Sequence, residues 1–94
     1  MFDQGIFDVT IRAAPGCIPC PFGDGIAIFD TNSNSYFSMN AVGEFVWSQL
    51  DQPVEIEDLV GRVADRYRIE PSVCEGDIRK LVDDLAANRL VILA

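Results

Sequence analysis

Ninety-four residues, 49% of them hydrophobic, suffice for one domain around one core and leave no room for a second. Fifteen Asp and Glu against seven Lys and Arg give a net charge of −8, the wrong sign for nucleic acid or an anionic membrane, which are bound chiefly through cations. Histidine is absent, which excludes Ser-His-Asp and Cys-His catalytic arrangements and any histidine-containing zinc site.

No apolar run approaches the ~18 residues of a transmembrane helix. The opening "MFDQGIFDVT" has neither the basic start nor the apolar run of a signal peptide. The expectation is a cytoplasmic protein whose three cysteines stay reduced. Its acidity suits a partner that carries Lys or Arg. No repeat or low-complexity segment interrupts the chain, so residues 1–94 read as a single domain.

Residues 6–13, "IFDVTIRA", set Ile6, Val9 and Ile11 among Asp8, Thr10 and Arg12, which predicts a first strand. Residues 14–25, "APGCIPCPFGDG", hold three prolines and three glycines and predict a loop. "IAIFD" (26–30) predicts a second strand. "TNSN" (31–34) has asparagines that tolerate a left-handed turn, and "SYFSM" (35–39) then runs back as a third strand.

Asn40 is placed to cap a helix over residues 41–51 by accepting a bond from an orphan amide. Val42, Phe45, Val46 and Leu50 form its apolar stripe, with Trp47 on the flank as a core anchor. Gly43 costs such a helix up to ~1 kcal/mol relative to Ala, which points to close packing against the sheet. A second helix is predicted over residues 55–67, with Ile56, Leu59, Val60, Val63, Ala64 and Tyr67 at helical period. Its early acids and late arginines suit the helix dipole. A third, over 71–89, starts either with Pro71 as its first residue or with Ser72 capping against Glu75. Its stripe is Cys74, Ile78, Leu81, Val82 and Leu85, and "LVIL" (90–93) closes the chain as a strand or wing. The expected fold class is α+β: a small N-terminal three-stranded antiparallel sheet, then a three-helix, winged-helix-like bundle.

Tyr36, Phe37, Met39, Asn40, Gly43, Val46 and Trp47 match, with Met in place of Leu, a "Y-F-x-L-N-x-x-G-x-x-(I/V)-W" run. Downstream stand Glu70-Pro71 and the "D-(I/V)-x-x-(F/L)" positions Asp77, Ile78 and Leu81. In this order and spacing, from about residue 25 to 93, the chain resembles the PqqD-like family, the peptide chaperones also called RiPP recognition elements. The resemblance implies a non-enzymatic protein without a cofactor. Its partners would be the leader segment of a ribosomally made precursor peptide and a separate maturation enzyme that receives it. A chain standing alone resembles lasso-peptide systems, whose partner is a cysteine-protease-like leader peptidase. Pyrroloquinoline-quinone pathways use a radical enzyme, and both remain open at this stage.

The leader is expected to add as a strand to "SYFSM", where backbone bonds give affinity and side-chain pockets give selectivity. Tyr36, Phe37, Ser38 and Met39 would supply the strand, and Ile78, Leu81, Val82 and Leu85 the apolar walls. Asp77, Lys80 and Asp84, at i, i+3, i+7 spacing, would form the polar rim. The same exposed edge also allows two copies to pair as a homodimer. "CIPC" has the spacing of redox and zinc motifs, yet only Cys74 could join Cys17 and Cys20, and a thioredoxin-like βαβ context is absent. A winged-helix DNA-binding regulator fails on charge, since residues 71–89 carry Glu75, Asp77, Asp83 and Asp84 against Arg79, Lys80 and Arg89.

Overall fold

The computed structural model describes residues 10–94. Among these residues two small antiparallel sheets and three helices enclose one core. β1 (Thr10–Ala13) is the centre of one sheet, flanked by β5 (Val54–Glu55) and by β6 (Val91–Leu93). β2 (Cys17–Phe22), β3 (Gly25–Asp30) and β4 (Ser35–Met39) form the other, in that order. α1 (Ala41–Ser48) packs against β3 and β4, while α2 (Ile56–Tyr67) and α3 (Pro71–Ala87) pack against each other and against β5 and β6 respectively. Ile11, Ile28, Val46, Leu50, Leu59, Val63 and Leu85 are the innermost side chains.

A three-stranded antiparallel sheet does precede the three helices, but its membership differs from expectation. The predicted first strand does not join it: residues 10–13 pair with β5 and β6 instead, and residues 6–9 lie outside the described residues. Its place is taken by β2, inside the stretch expected to be a loop. The prolines that argued against a strand sit at Pro19 and Pro21, two residues apart, and so share one parity. β2 is an edge strand, where a proline nitrogen turned away from the neighbour loses no ladder bond.

The hairpin turn fixes that parity. Phe22 pairs with Gly25 across Gly23 and Asp24, with Gly23 at φ 58°. The pair closing a two-residue hairpin exchanges backbone bonds, and bonding pairs then alternate. Ile18, Cys20 and Phe22 therefore bond to β3, while positions 17, 19 and 21 face outward. The β3 residues bonding to β4 are consequently Ile26, Ile28 and Asp30, opposite Met39, Phe37 and Ser35.

The turn at 31–34 places Asn34 at φ 60°, as its asparagines suggested. Asp30 anchors it, accepting from the Asn32 amide at 2.9 Å and the Ser33 hydroxyl at 2.9 Å. These bonds, the Asn32 amide first, hold its carboxyl below the usual carboxylate range. Asn40 caps α1 as expected, its Oδ1 accepting from the Gly43 amide at 3.0 Å. α1 ends at Ser48, short of residue 51, because Gln49 and Leu50 make tighter bonds to Val46 and Trp47 that turn Leu50 into the core. Pro71 is the first residue of α3, so proline rather than a Ser72 cap opens it. α3 stops at Ala87 instead of 89, and Arg89 turns at φ 61° into the last strand.

Candidate functional site

Among the described residues β4 is the second edge of its sheet, and it differs from β2 in one respect. Ser35, Phe37 and Met39 spend their backbone groups on β3, which leaves the N–H and C=O of Tyr36 and Ser38 directed outward. Neither residue is proline, so this edge keeps its donors. β2 lacks them at Pro19 and Pro21. Of the two edges, only β4 can accept a full antiparallel or parallel strand.

Beside that edge lies a groove of about 460 Å³ lined by Phe37, Ser38, Met39, Asn40, Val42, Gly43, Asp77, Ile78 and Leu81. That volume falls within the roughly 300–1,000 Å³ of ligand-binding clefts. Phe37 and Met39 wall it from the sheet, and Leu81 from α3, all three half-buried. Ile78 is only 2% exposed and forms the floor. Asp77 stands exposed at the mouth.

Gly43 shapes this groove. A Cβ there would stand 2.5 Å from Met39 Cβ and 2.9 Å from its Sδ, so α1 approaches β4 as closely as it does only because the position is glycine. Gly25 plays the same part on the other side of the strand end, where a Cβ would meet the Met39 carbonyl oxygen at 2.0 Å.

Of the residues expected from sequence to form a peptide site, Phe37, Ser38, Met39, Asp77, Ile78 and Leu81 meet in this groove. Tyr36 lies on the same strand but turns its ring, 71% exposed, to the opposite face of the sheet. Val82 and Leu85, expected as walls, are closed into the core at 4% and 0% exposure. The wide stripe of α3 buries its inner row in the core, where the helix packs against α2 and β6. Lys80 and Asp84 are exposed on α3 but do not line the groove. Asn40, Val42 and Gly43 line it without having been assigned there, although the N-x-x-G part of the sequence motif already marked two of them.

"CIPC" does not converge as a chelate. On a strand, residues three apart point to opposite faces: Cys17 pairs with the inward Asp30, and Cys20 with Ala27 on the outer face. Burial, and then the Asp30 carboxylate, push the Cys17 thiol above its ordinary value.

The family model described as coenzyme PQQ synthesis protein D (PqqD) matches residues 25–91, more than two thirds of the chain. The chain belongs to the PqqD family. No curated protein matches it, but solved structures of the same fold exist. TbiB1 in complex with the TbiA(beta) leader peptide is similar at TM-score 0.75 and 22% identity, over 85% of this PqqD-family chain and 93% of that one. A lasso peptide synthetase B1 complexed with the leader peptide gives 0.73 and 22%, over 87% and 96%. The PqqD truncation of Methylobacterium extorquens PqqCD, a stand-alone RiPP recognition element, gives 0.71 and 16%, over 88% of each chain. The PqqD motif residues Phe37, Met39, Asn40 and Gly43 thus form the end of β4 and its junction with α1, on one wall of the groove, while Tyr36 faces the other side of the sheet.

Proposed function

We propose that this PqqD-family chain is a stand-alone recognition element for the leader segment of a ribosomally made precursor peptide. The leader adds as a strand to β4, in the cytoplasm, and is presented to a separate maturation enzyme; the chain itself performs no chemistry. The observation that carries this reading is the asymmetry of the sheet edges. Pro19 and Pro21 close β2, while Tyr36 and Ser38 leave β4 open beside an apolar groove. An added strand pairs its backbone with Tyr36 and Ser38. Its inward side chains then enter the groove between Phe37, Met39 and Leu81, and Asp77 at the mouth favours a basic neighbour.

Lasso-peptide maturation, with a leader peptidase as the enzyme, is the setting supported by the similar lasso peptide synthetase B1 complexed with the leader peptide. A second setting, a radical enzyme in pyrroloquinoline-quinone or related peptide modification, is favoured by the family match itself. The enzyme that acts on the loaded complex separates them.

The test is titration with a leader peptide from the precursor encoded nearest this chain's gene, followed by amide NMR. Shifts concentrated at residues 36–43 and 77–81 are expected. Leu81→Arg, at a half-buried position on the groove wall, is expected to weaken binding at least about tenfold while leaving the spectrum of a folded protein. Shifts spread elsewhere, or unaltered affinity in a folded Leu81→Arg variant, would place the peptide outside this groove.

A further inference from the structure

Among the described residues, the face of the β2-β3-β4 sheet that points away from the helices is apolar and carries no charged side chain. The ladder aligns Ile18, Phe29 and Tyr36 in one row and Cys20, Ala27 and Ser38 in the next, with Phe22 beyond. Ile18, Phe22 and Tyr36 are 49%, 62% and 71% exposed. The Phe29 and Tyr36 rings lie 4.8 Å apart between centroids. Ala27, small among larger neighbours, floors a depression of about 480 Å³ walled by Cys20, Pro21, Phe22, Tyr36 and Ser38. On a chain of net charge −8, such a face binds through burial of apolar surface rather than through charge.

We propose that this face docks the maturation enzyme, through an uncharged apolar surface that seats one side chain over Ala27, and that the bound leader completes the docking surface. The inference rests on the peptide-binding reading above. Two observations select this occupant.

The first is area. Aromatic side chains bury about 150–250 Å² each when fully covered, so three partly exposed large residues offer roughly 400 Å². A stable interface takes ~800 Å² from each partner. A second copy stacked on this face alone therefore falls short of a lasting dimer.

The second is continuity. Tyr36 and Ser38 have their backbone groups on the free edge and their side chains on the outer face. A strand added at β4 lies about 4.8 Å further on and alternates its side chains between the two faces. Half of them enter the groove, and the other half extend the outer face past Tyr36. Only a protein that also engages the leader meets this enlarged surface, which points to the enzyme that acts on that peptide. Because Pro19 and Pro21 close the β2 edge, this partner meets the face and not the edge.

The experiment uses the purified chain with the precursor and the processing enzyme encoded beside it. Phe22→Asp, and the milder pair Ile18→Thr with Phe22→Ser, alter exposed β2 positions remote from the peptide edge. Leader affinity by titration is expected to stay within about twofold of wild type. The rate at which the enzyme converts the full precursor in the presence of the chain is expected to fall about tenfold or more. The milder pair serves if Phe22→Asp disturbs folding. Wild-type conversion rates from variants with intact leader affinity overturn the inference while leaving the peptide reading standing. Failure of the wild-type chain to bind the leader overturns both. A wild-type dimer in sedimentation that Phe22→Asp dissociates overturns it too, by giving the face to a second copy.

Discussion

Replacing Gly43 by alanine sets helix propensity against packing, and the structure says which wins. Inside a helix, Ala is better than Gly by about 0.8–1.0 kcal/mol. At Gly43 the new Cβ would lie 2.5 Å from Met39 Cβ, where real contacts stay above 3.0 Å. Met39 Cβ is one bond from the β4 backbone, so rotating the side chain does not relieve the contact; strand and helix must separate. Overpacking of this kind costs about 1–3 kcal/mol, which leaves Gly43→Ala destabilising by about 1 kcal/mol. That corresponds to a fall in Tm on the order of 4–8 °C for a domain of this size. Gly61 and Gly76 are the controls, since a Cβ at either meets nothing within 4 Å. Both are exposed helix positions, and alanine there should stabilise by up to ~1 kcal/mol. Urea denaturation reads all three as shifts in midpoint at constant slope. A Gly43→Ala variant as stable as the other two would refute the reasoning, because it would mean that α1 and β4 have slack between them.

Restoring donors to the β2 edge, by Pro19→Thr with Pro21→Thr, should create a second edge open to pairing; concentration-dependent association in sedimentation is expected, and a variant as monodisperse as wild type would show that the prolines do not guard it. Thiol alkylation should proceed in the order Cys20, Cys17, Cys74, because Cys20 is exposed, Cys17 is half-buried with its thiol pushed up, and Cys74 is buried; mass spectrometry of a time course reads the order, and early labelling of Cys74 would contradict the packing of α3. Asp30 has a lowered folded-state value, so its contribution is present above the unfolded carboxylate value of ~3.9 and is lost as pH falls through the folded one. Urea midpoints followed from about pH 5 to 2 should therefore drop less in Asp30→Asn than in wild type, and parallel curves would show that the turn does not draw on that charge.

Much of the local structure was legible because it follows from short-range chemistry. Alternation marked "IAIFD" and "SYFSM", helical period marked all three helices, and Asn40 caps α1 as expected, the amide it accepts from being that of Gly43 at 3.0 Å. Gly43 itself, costly in a helix, announced the close approach that a Cβ would forbid. The groove was half legible: the α3 stripe was visible, but which of its rows stays open was not. Leu81 remains half-buried at the groove while Val82 and Leu85 vanish into the core, a division that depends on how α3 packs against α2 and β6.

The sequence by itself determined the α+β class, the order of the main elements, the exclusion of histidine chemistry and the strand at 35–39. Tertiary structure decided what lies beside what. β1 pairs with β6, as in Arg12 opposite Ile92, and no local pattern encodes so distant a partner. A proline-rich stretch becomes a strand because it sits at an edge, with its nitrogens turned outward. That same placement closes one edge of the sheet and leaves the other open. Proline's missing N–H is a property of the residue, but its direction depends on the register of the hairpin.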